Sequence, residues 1–195
     1  MGHSKAFHPT YDEDDILQQD QTRAIEMIMD TYGDEIKRLV YTYMKNSADT
    51  DDVTQEVFVT IYQKLTTFQG KSSLKSWIYS IAINKCKDYL RSWHSRNKRL
   101  KEKLTQSAQA SDNNSETPED FYMKQNESNQ LLNQVMGLPI KYREVITLFY
   151  FKELSTKEIG HVLGMKEATV RTRLARGRDK LKECLSLERG GENHG

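Results

Sequence analysis

Apolar residues recur along most of this chain at intervals of three and four, the spacing that lays a stripe along one side of an α-helix. Little of it alternates as a strand does. Ile25, Ile28, Met29, Ile36, Leu39, Val40 and Tyr43 predict a long helical stretch around a candidate break at Gly33. Asp49 or Thr50 is placed to cap the next helix, whose stripe is Val53, Val57, Ile61 and Leu65. Phe68 to Ser73 is a loop by composition. A long helix is predicted from about Leu74 to about Arg96, burying Ile78, Ala82, Cys86, Tyr89, Leu90 and Trp93 and turning Ser80, Asn84, Lys87 and Arg91 outward, with Trp77 at the edge. Gln106 to Glu119 is rich in Ser, Asn, Gln and Asp and reads as a linker. Periodicity resumes at Leu131, breaks at Pro139, continues from Tyr142 to Phe151 and ends in a helical pair near Leu187. The expected fold is all-α: two small helical bundles joined by a flexible linker. An acidic flexible tail over 1–23 precedes a bundle over 24–99, a linker over 100–127, a second bundle over 128–189 and a short tail over 190–195.

Charge changes this picture more than composition does. The 195 residues are 29% charged, yet the net charge is only +1, so the information lies in the distribution. From Tyr11 to Glu35 every charge but Arg23 is acidic, whereas Lys64–Lys103 and Lys166–Lys182 are basic. Two separated basic segments in a near-neutral chain imply two nucleic-acid contacts and at least one further partner surface. Cys86 and Cys184 are far apart and sit in helical patterns, so both read as small buried side chains, not a disulfide or zinc pair. No apolar run has the length of a membrane span, and Met1–Thr10 lacks the core of a signal peptide. A cytoplasmic protein with no membrane insertion is expected. No cofactor, metal or catalytic constellation is expected either: a nuclease or recombinase needs clustered carboxylates or a nucleophile near an arginine set, and Asp12–Asp15 reads as a solvated run.

The C-terminal segment carries the first motif. Ser155 and Glu158 form a capping box, and the helix they open buries Ile159, Val162 and Leu163 and stops at Gly164. After the turn at Met165 and Lys166, Val170, Leu174, Gly177, Leu181 and Leu185 make an inward stripe, with Gly177 admitting a close helix. At 100° per residue Thr169, Thr172, Arg173, Arg176 and Lys180 fall on the opposite face, flanked by Arg171 and Arg178. This is helix–turn–helix grammar, with hydroxyls and guanidiniums where a recognition helix meets the major groove. A basic face is more often merely solvated; the coincidence of cap, glycine turn and Thr/Arg face favours DNA.

The segments Leu138–Ile146, Leu154–Gly160 and Ala168–Arg178 resemble the C-terminal domain of extracytoplasmic-function sigma factors, which implies a reader of the −35 promoter element through Thr169, Arg171, Thr172, Arg173, Arg176 and Lys180. The N-terminal half strengthens the resemblance. Asp52–Phe58 is similar to the family's helix that docks on core RNA polymerase, implying a contact through Asp52, Gln55, Glu56, Val59 and Gln63. Phe68–Arg91 resembles the segment that recognises and opens the −10 element. The implied contacts are Phe68, Gly70, Lys71, Ser72, Ser73, Trp77, Ser80, Asn84, Lys87 and Arg91, with Trp77 also open to a packed core role. Ser80 stands where many relatives carry Arg, and Ala168 where the family usually has Gly. The resemblance implies core RNA polymerase, promoter DNA and an anti-sigma factor as partners. A stand-alone helix–turn–helix regulator, with the N-terminal bundle as sensor, is the alternative.

Overall fold

The computed structural model describes residues 11–104 and 127–191, with side chains for 11–97 and 131–184. Every regular element among them is a helix, and the chain forms two compact units, 1–90 and 91–195. Most of the expected linker lies outside the described residues.

The N-terminal unit is built from α1 (Glu13–Leu17), α2 (Gln21–Met44), α3 (Ser47–Lys64) and the start of α4 (Leu74–Leu104). Residues 11–23 are not a tail: Asp12 caps α1, and Ile16 is wholly buried. Asp20 caps α2, its carboxylate accepting from the Thr22 and Arg23 N–H groups at 3.0 Å each. The helix runs through Gly33 without a break, because Tyr32 and Ile36 on either side are buried and packing outweighs the ~1 kcal/mol that glycine costs inside a helix. It ends at Lys45, in the left-handed conformation with φ 60°. Asn46, not Asp49 or Thr50, caps α3: its backbone is extended and its side chain accepts from the Asp49 N–H at 2.8 Å. Asp49 is thereby left to accept the Tyr89 hydroxyl at 2.6 Å, tying α3 to α4. Tyr79 of α4 is likewise bonded to Glu35 of α2, and Lys37 pairs with Asp51 across α2 and α3 at 2.7 Å. The α4 core is larger than expected, adding Leu74, Tyr79, Ile81 and Ile83. Trp93, expected inside, is exposed, since the compact unit ends at Leu90 and nothing from Arg91 to Arg96 is buried.

In the C-terminal unit α5 (Glu127–Gly137) stops before Pro139, which opens α6 (Ile140–Ile146). That helix widens into a π-helical turn over Thr147–Phe151, and α7 (Thr156–Leu163) and α8 (Glu167–Gly191) follow. Cys184, expected to be buried, is exposed on α8, whereas Cys86 is buried.

Candidate nucleic-acid and polymerase interfaces

On α3 the inward positions Val53, Val57 and Ile61 recur every four residues and are buried, which turns Asp52, Gln55, Glu56, Val59 and Gln63 to solvent. The outer stripe is not purely polar. Val59 is 50% exposed and Tyr62 41%, so acids at its start give way to an apolar patch at its end. Tyr62 was missed by sequence reasoning; its place three residues after Val59 is the signal that could have found it. Glu56 lies 3.8 Å from Lys85 of α4, a loose exposed pair.

The loop after α3 folds back on α4. The Phe68 ring sits 5.2 Å from that of Trp77, tilted by 54°, and both are half-buried. Trp77 is therefore neither core nor free surface. Gly70 turns the loop with φ 64°, a conformation that favours glycine, leaving Lys71 exposed and Ser72 half-buried. Ser73 caps α4, its hydroxyl accepting from the Ser76 N–H at 3.2 Å. Further along, the Ser80 hydroxyl donates to the Trp77 carbonyl at 2.7 Å, keeping its lone pairs as acceptors. Asn84 and Arg91 are exposed and Lys87 is half-exposed. Trp77, Ser80, Asn84, Lys87 and Arg91, at alternating three- and four-residue spacing, thus share one side of α4. Asn84 stands seven residues beyond Trp77, roughly 10 Å along the axis at 1.5 Å per residue.

In the C-terminal unit the capping box is present in both directions: the Glu158 N–H donates to the Ser155 hydroxyl at 3.2 Å, and the Ser155 N–H to Glu158 at 2.8 Å. Gly164 ends α7 with φ 65°. The turn also depends on Gly160, where a Cβ would lie 2.8 Å from the Met165 carbonyl oxygen. At Gly177 a Cβ would lie 3.1 Å from the Ile146 side chain, so α8 approaches α6 closely there. Thr169, Arg171, Thr172, Arg176 and Lys180 are exposed as expected.

Arg173 is not with them. Its guanidinium donates to Glu144 of α6 at 3.0 Å, and Glu144 is only 5% exposed. Three residues past Val170 leaves Arg173 about 60° short of a full turn, at the edge of the buried stripe and not opposite it. Arg171 is also engaged, donating to Glu167 at 2.6 Å, while the Thr156 hydroxyl donates to the same carboxylate oxygen at 2.6 Å. These bonds, Thr156 first and Arg171 second, hold Glu167 below the usual carboxylate range and link α7 to α8. Beside them Phe149, Tyr150, Thr156, Arg171, Leu174 and Arg178 line a cleft of about 280 Å³. Its aromatics read in sequence as ordinary helix periodicity. Among the described residues no group of acids, histidines or cysteines is arranged to hold a metal ion, and no helix is long and apolar enough to cross a membrane.

Comparison with known proteins places both units. The family model for sigma-70 region 2 matches residues 28–96, and that for sigma-70 region 4 matches residues 128–181. The extracytoplasmic-function (ECF) RNA polymerase sigma factor SigW of Bacillus subtilis is 34% identical over 163 residues, covering 81% of this chain and 87% of that protein. SigM of the same organism is 30% identical over 159 residues, covering 81% and 93%. Among solved structures, CnrH in complex with the cytosolic domain of CnrY matches with a TM-score of 0.62 at 22% identity, covering 90% of this chain and 95% of that one. The sigma factor RpoE of Bartonella quintana, in complex with the anti-sigma factor NepR, matches with a TM-score of 0.62 at 17% identity over 86% and 97%. At these identities the two structures speak for the fold alone.

Proposed function

The chain belongs to the ECF family of RNA polymerase sigma factors, and on that footing we propose how its two units divide the work of promoter-specific transcription initiation. As a sigma factor it binds core RNA polymerase and directs it to promoters. The observation that carries this is the presence of region 2 and region 4 in one chain, in that order. The stand-alone regulator is set aside for the same reason: its sensor bundle would occupy residues that match region 2.

The outer stripe of α3, from Asp52 through Gln55, Glu56 and Val59 to Gln63, with Tyr62 added, is the docking surface for core polymerase. Its acids suit a basic groove and its Val/Tyr end an apolar one. The loop Phe68–Ser73 closes around an extruded −10 base, a step costing a few kcal/mol that is offset only when the polar edge is satisfied. Trp77 and Ser80 stand beside the loop. Asn84, farther along the axis, meets a neighbouring nucleotide, and Lys71, Lys87 and Arg91 hold phosphates. Thr169, Arg176 and Lys180, with Arg171 and Thr172, face −35 duplex from α8, while Arg173 fastens that helix to its unit. Phosphodiester chemistry belongs to the polymerase; the chain contributes recognition and strand opening, and acts in the cytoplasm. An anti-sigma factor, the kind of partner named for the RpoE structure, would hold it inactive until a signal releases it.

The test is transcription in vitro by core polymerase supplemented with the chain on a library of promoters. Asp52→Lys combined with Glu56→Lys should abolish core capture and transcription while the fold stays intact. Both sites are exposed, and the Glu56–Lys85 pair contributes little. Normal core capture by the folded double variant removes α3 from the interface.

A further inference from the structure

The first turn of α4 carries no acid of its own. Its unpaired N–H groups and partial positive charge are usually met by nearby acidic side chains. Leu74, Lys75, Ser76 and Trp77 include no acid, and Lys75 adds positive charge. Ser73 meets one donor. The other two are met from far away in sequence: the Leu74 N–H donates to Glu13 Oε2 at 2.9 Å and the Lys75 N–H to Glu13 Oε1 at 3.1 Å. Glu13 rides on α1, and α1 is anchored by buried Ile16 and by a hydrogen bond from the Tyr11 N–H to the Thr31 hydroxyl of α2 at 3.4 Å. The helix start that Glu13 holds is also the end of the loop Phe68–Ser73.

We infer that Glu13 is a positioning residue for −10 DNA: the acidic N-terminal helix braces the junction of loop and α4, so that the loop meets an extruded base already in place. The inference rests on the −10 reading of that loop. The physical reason is entropic. Without the carboxylate the first turn of α4 frays, and the loop must be ordered when the base enters instead of beforehand. A cap of ordinary strength corresponds to roughly five- to tenfold in an equilibrium.

The experiment uses the full chain with core polymerase. Glu13→Ala should slow opening of an intact duplex promoter by roughly five- to tenfold, read by permanganate reactivity of −10 thymines. Core affinity should stay parental, and a pre-melted −10 bubble should restore initiation. Glu13→Gln, with one acceptor oxygen left, should fall between, and Ile16→Ala, which undocks α1, should share the defect. Opening at the parental rate by Glu13→Ala overturns the inference. So does a parallel loss of core affinity, opening and bubble initiation, which marks a merely structural role. Should Glu13→Ala not fold, Glu13→Gln decides by the same readouts. A loop variant, Lys71→Ala combined with Ser72→Ala, serves as the control: if it opens promoters normally, the −10 assignment of the loop falls and this inference with it, whereas a slowed loop variant beside a normal Glu13→Ala overturns the role of Glu13 alone.

Discussion

Along α4, Tyr79 and Tyr89 reach inward to Glu35 and Asp49 while Asn84 and Arg91 stay outside. Along α8, Arg173 reaches inward to Glu144, and Arg171 is held by the carboxylate that also links α7 to α8. In the N-terminal unit the tyrosines that tie α4 to α2 and α3 are not among the groups proposed to touch DNA, although Ser73 both caps α4 and ends the loop proposed to enclose a base. In the C-terminal unit the two kinds of group are mixed within a few residues of one basic sequence. Length explains part of this. The longer helices α2 and α3 offer α4 a broad surface on which tyrosines find acids, whereas α6 and α7 are short and must be fixed by close contacts and by the same arginines that crowd α8. A substitution at exposed Asn84 should therefore report on reading alone, and those on α8 on reading and folding together.

The strongest way to break that contrast is Arg173→Ala. Removing Arg173 takes away the guanidinium 3.0 Å from the buried Glu144 carboxylate, and breaking a fully buried pair in this way costs about 3–5 kcal/mol. With the Arg173 side chain 30% exposed, a loss of about 2–3 kcal/mol is expected, seen as a lower thermal transition and partly restored by Glu144→Ala in the same chain. A parental transition with −35 binding alone impaired would return Arg173 to the readers. Next comes Gly160→Ala. Its methyl group meets backbone at Met165, which cannot swing aside, so about 2 kcal/mol should be lost, and −35 binding should weaken with stability although no DNA-facing residue has changed. Binding that survives a lowered melting temperature would show that the turn tolerates the shift. Smallest in stability is Asn84→Ala, expected to change unfolding free energy by less than about 0.5 kcal/mol while slowing promoter opening. Calorimetry beside footprinting reads both, and a substantial stability loss would mean that α4 mixes the two roles as α8 does.

Local pattern carried the parts of this molecule that local physics decides. The stripe Val53–Val57–Ile61, the Ser155–Glu158 box, the stop at Gly164 and the close approach at Gly177 each follow from a few neighbouring residues, and each is found in the structure. What escaped depends on distance or competition. Glu13 sits 61 residues from the N–H it caps, so its run of acids reads as a solvated tail. Asn46 wins over Asp49 and Thr50 because α2 ends just before it, which the periodicity of either helix does not disclose. Trp93 continues a regular stripe past the end of the compact unit. Arg173 looked like every other arginine of α8 because its partner, Glu144, lies on another helix.

The two sulfur atoms differ in a way that has practical use. Burial pushes the Cys86 thiol up to about 12, which leaves almost none of the thiolate that alkylating reagents attack, and no reagent reaches it in the folded chain. Cys184 is open to solvent on α8. The unaltered chain thus offers one attachment point for a maleimide dye, on the helix proposed to lie against −35 DNA. A fluorophore placed there would follow arrival of the C-terminal unit on a promoter with no residue substituted.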